Sequence, residues 1–173
     1  VLRELHISSD KLISIIKVGL PAGVQGLIFS MTNVLIQASV NSFGATVVAG
    51  NSASGNVENF IYFPMNAFYQ ATISFTSQNV GAKRISRIDK ILTRGEICAI
   101  GIGLSIGLLE LVFGPALLGI YSSSDAVIEA GMRRLSILAP TYALCGAMDV
   151  MVGVLRGMGY SIVPMLFSLI GVC

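Results

Sequence analysis

Apolar runs cover residues 12–40, 47–80, 95–120, 130–155 and 161–173, and short polar or glycine-bearing segments part them. The separators read as turns: "NSFGATVVAG" (41–50), the basic "GAKRISRIDKILTRGE" (81–96), "YSSSDAVIE" (121–129) with a Ser–Asp helix start, and "RGMGYS" (156–161). The first two runs exceed the ~20 residues a helix needs to cross a bilayer, so they tilt, kink or project beyond the hydrocarbon. Runs this long and this uniformly apolar are wrong for a barrel, which uses short alternating strands closed on themselves. Helices satisfy their own backbone, so the pattern predicts an all-α, polytopic transmembrane bundle. It has about four full spans and a truncated fifth, because the last run stops after about 13 residues. With Val1 at the start and no signal-peptide pattern, the sequence reads as a fragment cut at both ends.

Composition agrees. The chain has 173 residues, of which 54% are hydrophobic and only 12% charged, and its mean hydropathy is +0.80. Soluble domains carry about a quarter charged residues, so lipid rather than polar surface must cover this chain. The net charge of +2 argues against a nucleic-acid partner, which selects a basic face. Cys98, Cys145 and Cys173 lie in apolar stretches without metal-ligand or disulfide-framework spacing and read as small buried hydrophobes.

Charge also gives orientation, since loops rich in Lys and Arg stay cytoplasmic. The N-terminal flank carries Arg3, Lys11 and Lys17, and loop 41–50 carries none. Loop 81–94 carries Lys83, Arg84, Arg87, Lys90 and Arg94. The third loop has Arg133 and Arg134, offset by Asp125 and Glu129, and the fourth has Arg156. The alternation places the N-terminal flank and loop 81–94 inside. Arg133 and Arg134 fit this scheme least well.

Every apolar run holds one proline (Pro21, Pro64, Pro115, Pro140, Pro164), a source of kinks in spanning helices. Gly19 with Gly23, Gly103 with Gly107, and Gly153 with Gly157 recur at four-residue spacing and read as close-packing faces.

Polar groups within hydrocarbon are costly, so their placement marks function or interhelical hydrogen bonding. Gln25, Asn33, Gln37 and Asn41 form a drifting stripe on the first span. Asn59, Tyr62, Asn66, Tyr69 and Gln70, beside Glu58, form a denser one on the second. Asn33, Gln37, Tyr62, Asn66, Tyr69 and Gln70 are the candidate cavity residues. Three carboxylates lie within or beside apolar runs: Glu58, Glu110 and Asp149. Asp149 is placed deepest in its span and is a candidate proton or cation site. It precedes Arg156 by seven residues, about 10 Å along a helix axis, too far for a direct ion pair unless both side chains stretch.

Enzyme chemistry finds no support. His6, the only histidine, precedes the first span, and no HExxH, CxxC, phosphate-binding glycine loop or GxSxG is present. No cofactor is expected, and no metal site.

"KVGLPAGVQGLIFSMTNVLIQ" (17–37), "NAFYQATISFTSQNVGAKR" (66–84) and "VLRGMGYSIVPM" (154–165) resemble the multidrug and toxic compound extrusion (MATE) transporters over nearly the whole chain. The resemblance implies that residues 1–173 are part of the C-terminal lobe, corresponding to helices seven to eleven of a twelve-helix, two-lobe fold. It implies outward export of organic, often cationic, compounds by alternating access, driven by Na+ or H+ antiport, with an N-terminal lobe of the same chain as partner. It implies an integral protein of the bacterial plasma membrane. Some sodium-coupled members carry a glutamate where this chain has Phe29–Ser30, and a second acid near Cys145 or Gly146. Tyr142 matches their accompanying tyrosine, so Tyr142 joins Asp149 as an ion-coupling candidate. Alone, this stretch is not expected to transport. The alternatives are a lipid-linked precursor flippase, which wants a cationic lumen where the spans show no Lys or Arg, and a membrane scaffold whose stripes are packing glue.

Overall fold

The structure, a computed structural model, describes residues 8–172; Arg3, His6 and Cys173 lie outside them. Helix α1 (Ser9–Asn41) turns at Ser42–Gly44 into α2 (Ala45–Gly81). A 3-10 turn (Ile85–Arg87) leads into α3 (Ile88–Gly119), which is followed by α4 (Asp125–Leu138). A second 3-10 turn (Ala139–Thr141) joins α4 directly to α5 (Tyr142–Gly157), and α6 (Ile162–Val172) closes the described chain. No strand occurs among the described residues. The all-α bundle follows from the long apolar runs.

Among the described residues, three stretches are both long and apolar enough to cross a membrane: Ser9–Asn41, Ile85–Gly119 and Asp125–Gly157. The longest helix, α2 with 37 residues, is absent from that set although its length suffices. Its polar stripe lowers its hydropathy, and packing compensates, because α3, α4 and α5 all contact α2. The fourth run is one span broken at Pro140, which sits in the 3-10 turn between α4 and α5. A proline has no N–H to continue an α ladder, so the chain changes helical form there.

Several hydroxyl side chains along the helices satisfy themselves, although that of the buried Thr76 has no partner. Ser14, Ser30, Ser39, Thr72 and Ser105 each donate to the carbonyl four residues earlier, at 2.7–3.1 Å. Such back-bonding lets serine and threonine sit in apolar surroundings without other partners. Asn79 Nδ2 does the same toward the Phe75 carbonyl at 2.8 Å, whereas Gln37, Asn51, Arg134 and Glu58 find one another.

The core lies on the α2 axis. Val57 and Ile61 of α2, Leu118 of α3 and Leu135 of α4 are fully buried. Close approach is made by glycine: a Cβ at Gly157 would lie 2.6 Å from Thr76 Cβ and 2.9 Å from the Ile73 carbonyl, so α5 rests directly on α2. Gly153 likewise faces Tyr69 and Thr72 of α2, and Gly103 and Gly107 face Ala143 and Ala139. Close packing therefore holds at two of the three expected pairs. At Gly19 and Gly23 of α1 an added Cβ would meet nothing within 4 Å, so that face packs against no other described element. That helix is mostly exposed, with Gln25 its buried residue.

Two helix ends show the same closure. After α2, Arg84 N–H donates to Asn79 O (2.8 Å) and Lys83 N–H to Val80 O (2.9 Å), with Lys83 left-handed at φ 57. After α5, Tyr160 N–H donates to Leu155 O and Gly159 N–H to Arg156 O, both at 2.9 Å, with Gly159 at φ 92. Both are Schellman closures, and glycine is the unstrained residue for the left-handed position. The basic loop uses a lysine there instead.

Candidate functional site

Helices α1, α2 and α5 line a partly open cavity of about 410 Å³. From α1 come Gln25, Phe29 and Asn33; from α2 Tyr62, Asn66 and Tyr69; from α5 Asp149 and Arg156. The α2 residues follow steps of four and three, which keep side chains on one helix face. Asn66 Nδ2 donates to Tyr62 Oη at 3.4 Å.

Arg156 closes one end. It belongs to the last turn of α5, where a cation also complements the helix dipole. Its guanidinium donates to Tyr69 Oη and Gln25 Oε1, and its Cζ stands 5.8 Å from the Tyr69 ring centroid. Gln25 is 8% exposed. Asp149 shares the cavity with Arg156 but forms no ion pair with it; the ion pairs among the described residues are Arg133–Glu129 and Arg134–Glu58. The cavity thus holds a carboxylate at one position and a tethered guanidinium at another, between aromatic rings.

Asn33, Tyr62, Asn66, Tyr69 and Asp149 therefore converge, while Gln37, Gln70 and Tyr142 do not line this cavity. Gln70 is exposed, since one residue beyond Tyr69 is a rotation of about 100° around the helix. Gln37 begins a polar chain: it donates to Asn41 Oδ1 (3.0 Å) and accepts from Asn51 Nδ2 (3.3 Å). Asn51 Oδ1 and its carbonyl accept from Arg134 Nη1 at 2.7 and 2.8 Å. Arg134 Nη2 then reaches Glu58 Oε2 at 2.8 Å. This chain of contacts ties α1 to α2 and α2 to α4.

Tyr142 of α5 and Glu110 of α3 complete a second polar centre around Glu58. The sequence groups Tyr142 with Asp149; the structure separates them, one toward Glu58 and Glu110, the other toward Arg156. Of the three carboxylates, Glu110 and not Asp149 is the one most fully enclosed by protein, at 2% exposure. Arg134 lies in α4 and Arg156 in the last turn of α5, so both belong to helices rather than to the loops their charge suggests. Read as loop residues from their charge, both turn inward because a partner on another helix receives them.

A further cavity of about 580 Å³ lies between α2 and α3, lined by Phe68 and Phe75 and rimmed by Arg87, Lys90 and Arg94. Three of the five cations of the basic loop thus share one groove.

The MatE family model matches residues 21–173, which include every residue named in both polar centres. The chain belongs to the MatE family. A probable multidrug resistance protein, YoeA of Bacillus subtilis, is 22% identical over 99% of this chain. YpnP, another probable multidrug resistance protein of that organism, is 30% identical over 90%. The probable multidrug resistance protein NorM of Thermotoga maritima is 25% identical over 95%. The chain spans about a third of the length of these relatives: 37%, 35% and 35%. Family membership and three apolar helices make this MatE chain an integral membrane protein.

Proposed function

We propose that this chain is part of the C-terminal lobe of an exporter of organic, often cationic, compounds. Transport is by alternating access, driven by Na+ or H+ antiport and without covalent chemistry. The observation that carries the reading is the cavity between α1, α2 and α5, where Asp149 stands among Phe29, Tyr62 and Tyr69. A carboxylate and aromatic faces in one cavity attract an organic cation by charge and by cation–π contact. Tyr69 and Gln25, which hold the Arg156 guanidinium, are neutral, so Arg156 keeps its positive charge beside the cavity and Asp149 supplies the negative charge that an organic cation would meet there. The names of the relatives, probable multidrug resistance proteins, support the substrate class. Sites near the midplane between repeats are the general plan of secondary transporters. The partners are the bilayer, the N-terminal lobe of the same protein and the organic substrate. The N-terminal flank and loop 81–94 face the cytoplasm of a bacterial plasma membrane.

The test uses the full reading frame, with Asn66→Ala and Asp149→Asn made separately and efflux of a fluorescent organic cation followed from energised cells. Loss of efflux at normal membrane expression is expected for both. Unchanged efflux in both would reduce the stripes to packing, and no efflux by the unmutated protein would favour the flippase or scaffold readings.

A further inference from the structure

Glu110 is the one acidic or basic side chain among the described buried residues, at 2% exposure. Neither of its carboxyl oxygens has a hydrogen-bond partner. Buried polar groups are almost always paired, so such a carboxyl calls for an explanation. Its neighbours enclose it closely. On α3, Gly107 and Gly114 stand three residues before it and four after, letting Ala139 and Met132 pack against that face.

The charged and titratable groups that face it are Glu58 from α2 and Tyr142 from α5. From α4 comes Arg134, which is already committed to Glu58 and Asn51. The centre therefore holds two carboxyls and one guanidinium. Glu58 Oε1 is also buried, and besides Arg134 the group that offers Glu58 a hydrogen bond is the Tyr142 hydroxyl. If both carboxyls were ionised, one negative charge would be buried without a partner. That costs several kcal/mol, and groups in this position neutralise instead. One unit of positive charge is missing. No three acidic, histidine or cysteine side chains converge among the described residues, so the centre offers a multivalent metal no dedicated set of ligands, and Na+ is the rival that the test below separates. A proton needs one oxygen.

We propose that Glu110 is a proton-binding site, separate from the Asp149 cavity, that holds one proton while Arg134 is paired with Glu58. The Glu110 O–H bond forms when a proton arrives from water, and its loss leaves the carboxylate facing Glu58. Such a change in charge biases the packing of α2, α3 and α4 around it. As the site of the driving ion it rests on the exporter reading above; as a proton site it does not.

The test uses the purified full-length protein. Infrared spectroscopy at neutral pH should show a protonated carboxyl C=O band in sodium-free buffer. Glu110→Gln should remove that band and Asp149→Asn should leave it. Absence of the band in the unmutated protein overturns the proposal, whether or not the variant folds. A band that survives Glu110→Gln overturns it too, and a band lost on adding Na+ reassigns the site to that cation. In proteoliposomes, Glu110→Gln should lose efflux driven by a proton gradient yet retain exchange of substrate for substrate. Unchanged driven efflux would refute the driving role. If the unmutated protein moves no substrate, the exporter reading fails while the infrared result stands.

Discussion

Arg134→Leu tests the polar chain that crosses the bundle. The guanidinium makes three hydrogen bonds to two α2 residues, Asn51 and Glu58. The Arg134 side chain is 32% exposed and that of Glu58 only 12%. Removing one partner of a buried pair costs about 3–5 kcal/mol, mostly because the other charge is left unpaired. Partial exposure of Arg134 screens the interaction, so about 2–3 kcal/mol is expected here. Glu58→Gln keeps the shape and removes the charge, leaving Arg134 its two bonds to Asn51; it should cost about 1–2 kcal/mol. Combined, the two should cost less than their sum by about 1–2 kcal/mol, since the second change removes the stranded charge left by the first. Equilibrium unfolding of the full-length protein in mixed SDS–detergent micelles reads all four corners of this cycle. Additivity to within about 0.5 kcal/mol would refute the pairing.

Three further outcomes follow from the packing and the loops. Gly157→Ala should destabilise by about 1–3 kcal/mol, because the added methyl meets the α2 backbone, and a shift in thermal unfolding reads it. Lys83→Gly should raise stability by about 1 kcal/mol by relieving the left-handed backbone, whereas Gly159→Ala should lower it by a similar amount; the same unfolding measurement compares them. Lys90→Cys in a background lacking other cysteines should react with an impermeant maleimide from the cytoplasmic side alone; reaction from outside would reverse the proposed orientation.

Local periodicity carries the helices and little of what joins them. The runs 12–40, 47–80 and 95–120 lie within or nearly coincide with α1, α2 and α3, because each is set by its own apolar residues. The break at Pro140 was legible as a proline and not as a change of helix type. Tyr62, Asn66 and Tyr69 could be read as one face, since a single helix fixes their spacing. Asn59 and Gln70, near the same stripe, fall outside the cavity lining. The pairing of Arg134 with Glu58 spans 76 positions, and the contact of Arg156 with Gln25 spans 131. No local pattern signals such contacts. An arginine near a turn reads as a loop anchor until a distant partner is seen to receive it. Glu110 follows the same rule, because its significance lies in what α2, α4 and α5 place around it. A usable signal was the glycine on either side of it at helical spacing, Gly107 and Gly114, which marks the face where helices close in.

The central claim is that Asp149 and the rings around it receive an organic cation. Equilibrium binding of a fluorescent organic cation to the purified full-length protein, unmutated and Asp149→Asn, tests it without requiring transport. Loss of the one carboxylate in the cavity should weaken binding about tenfold or more, equivalent to at least ~1.4 kcal/mol. Equal affinity in the two proteins would contradict the account and place the cation elsewhere.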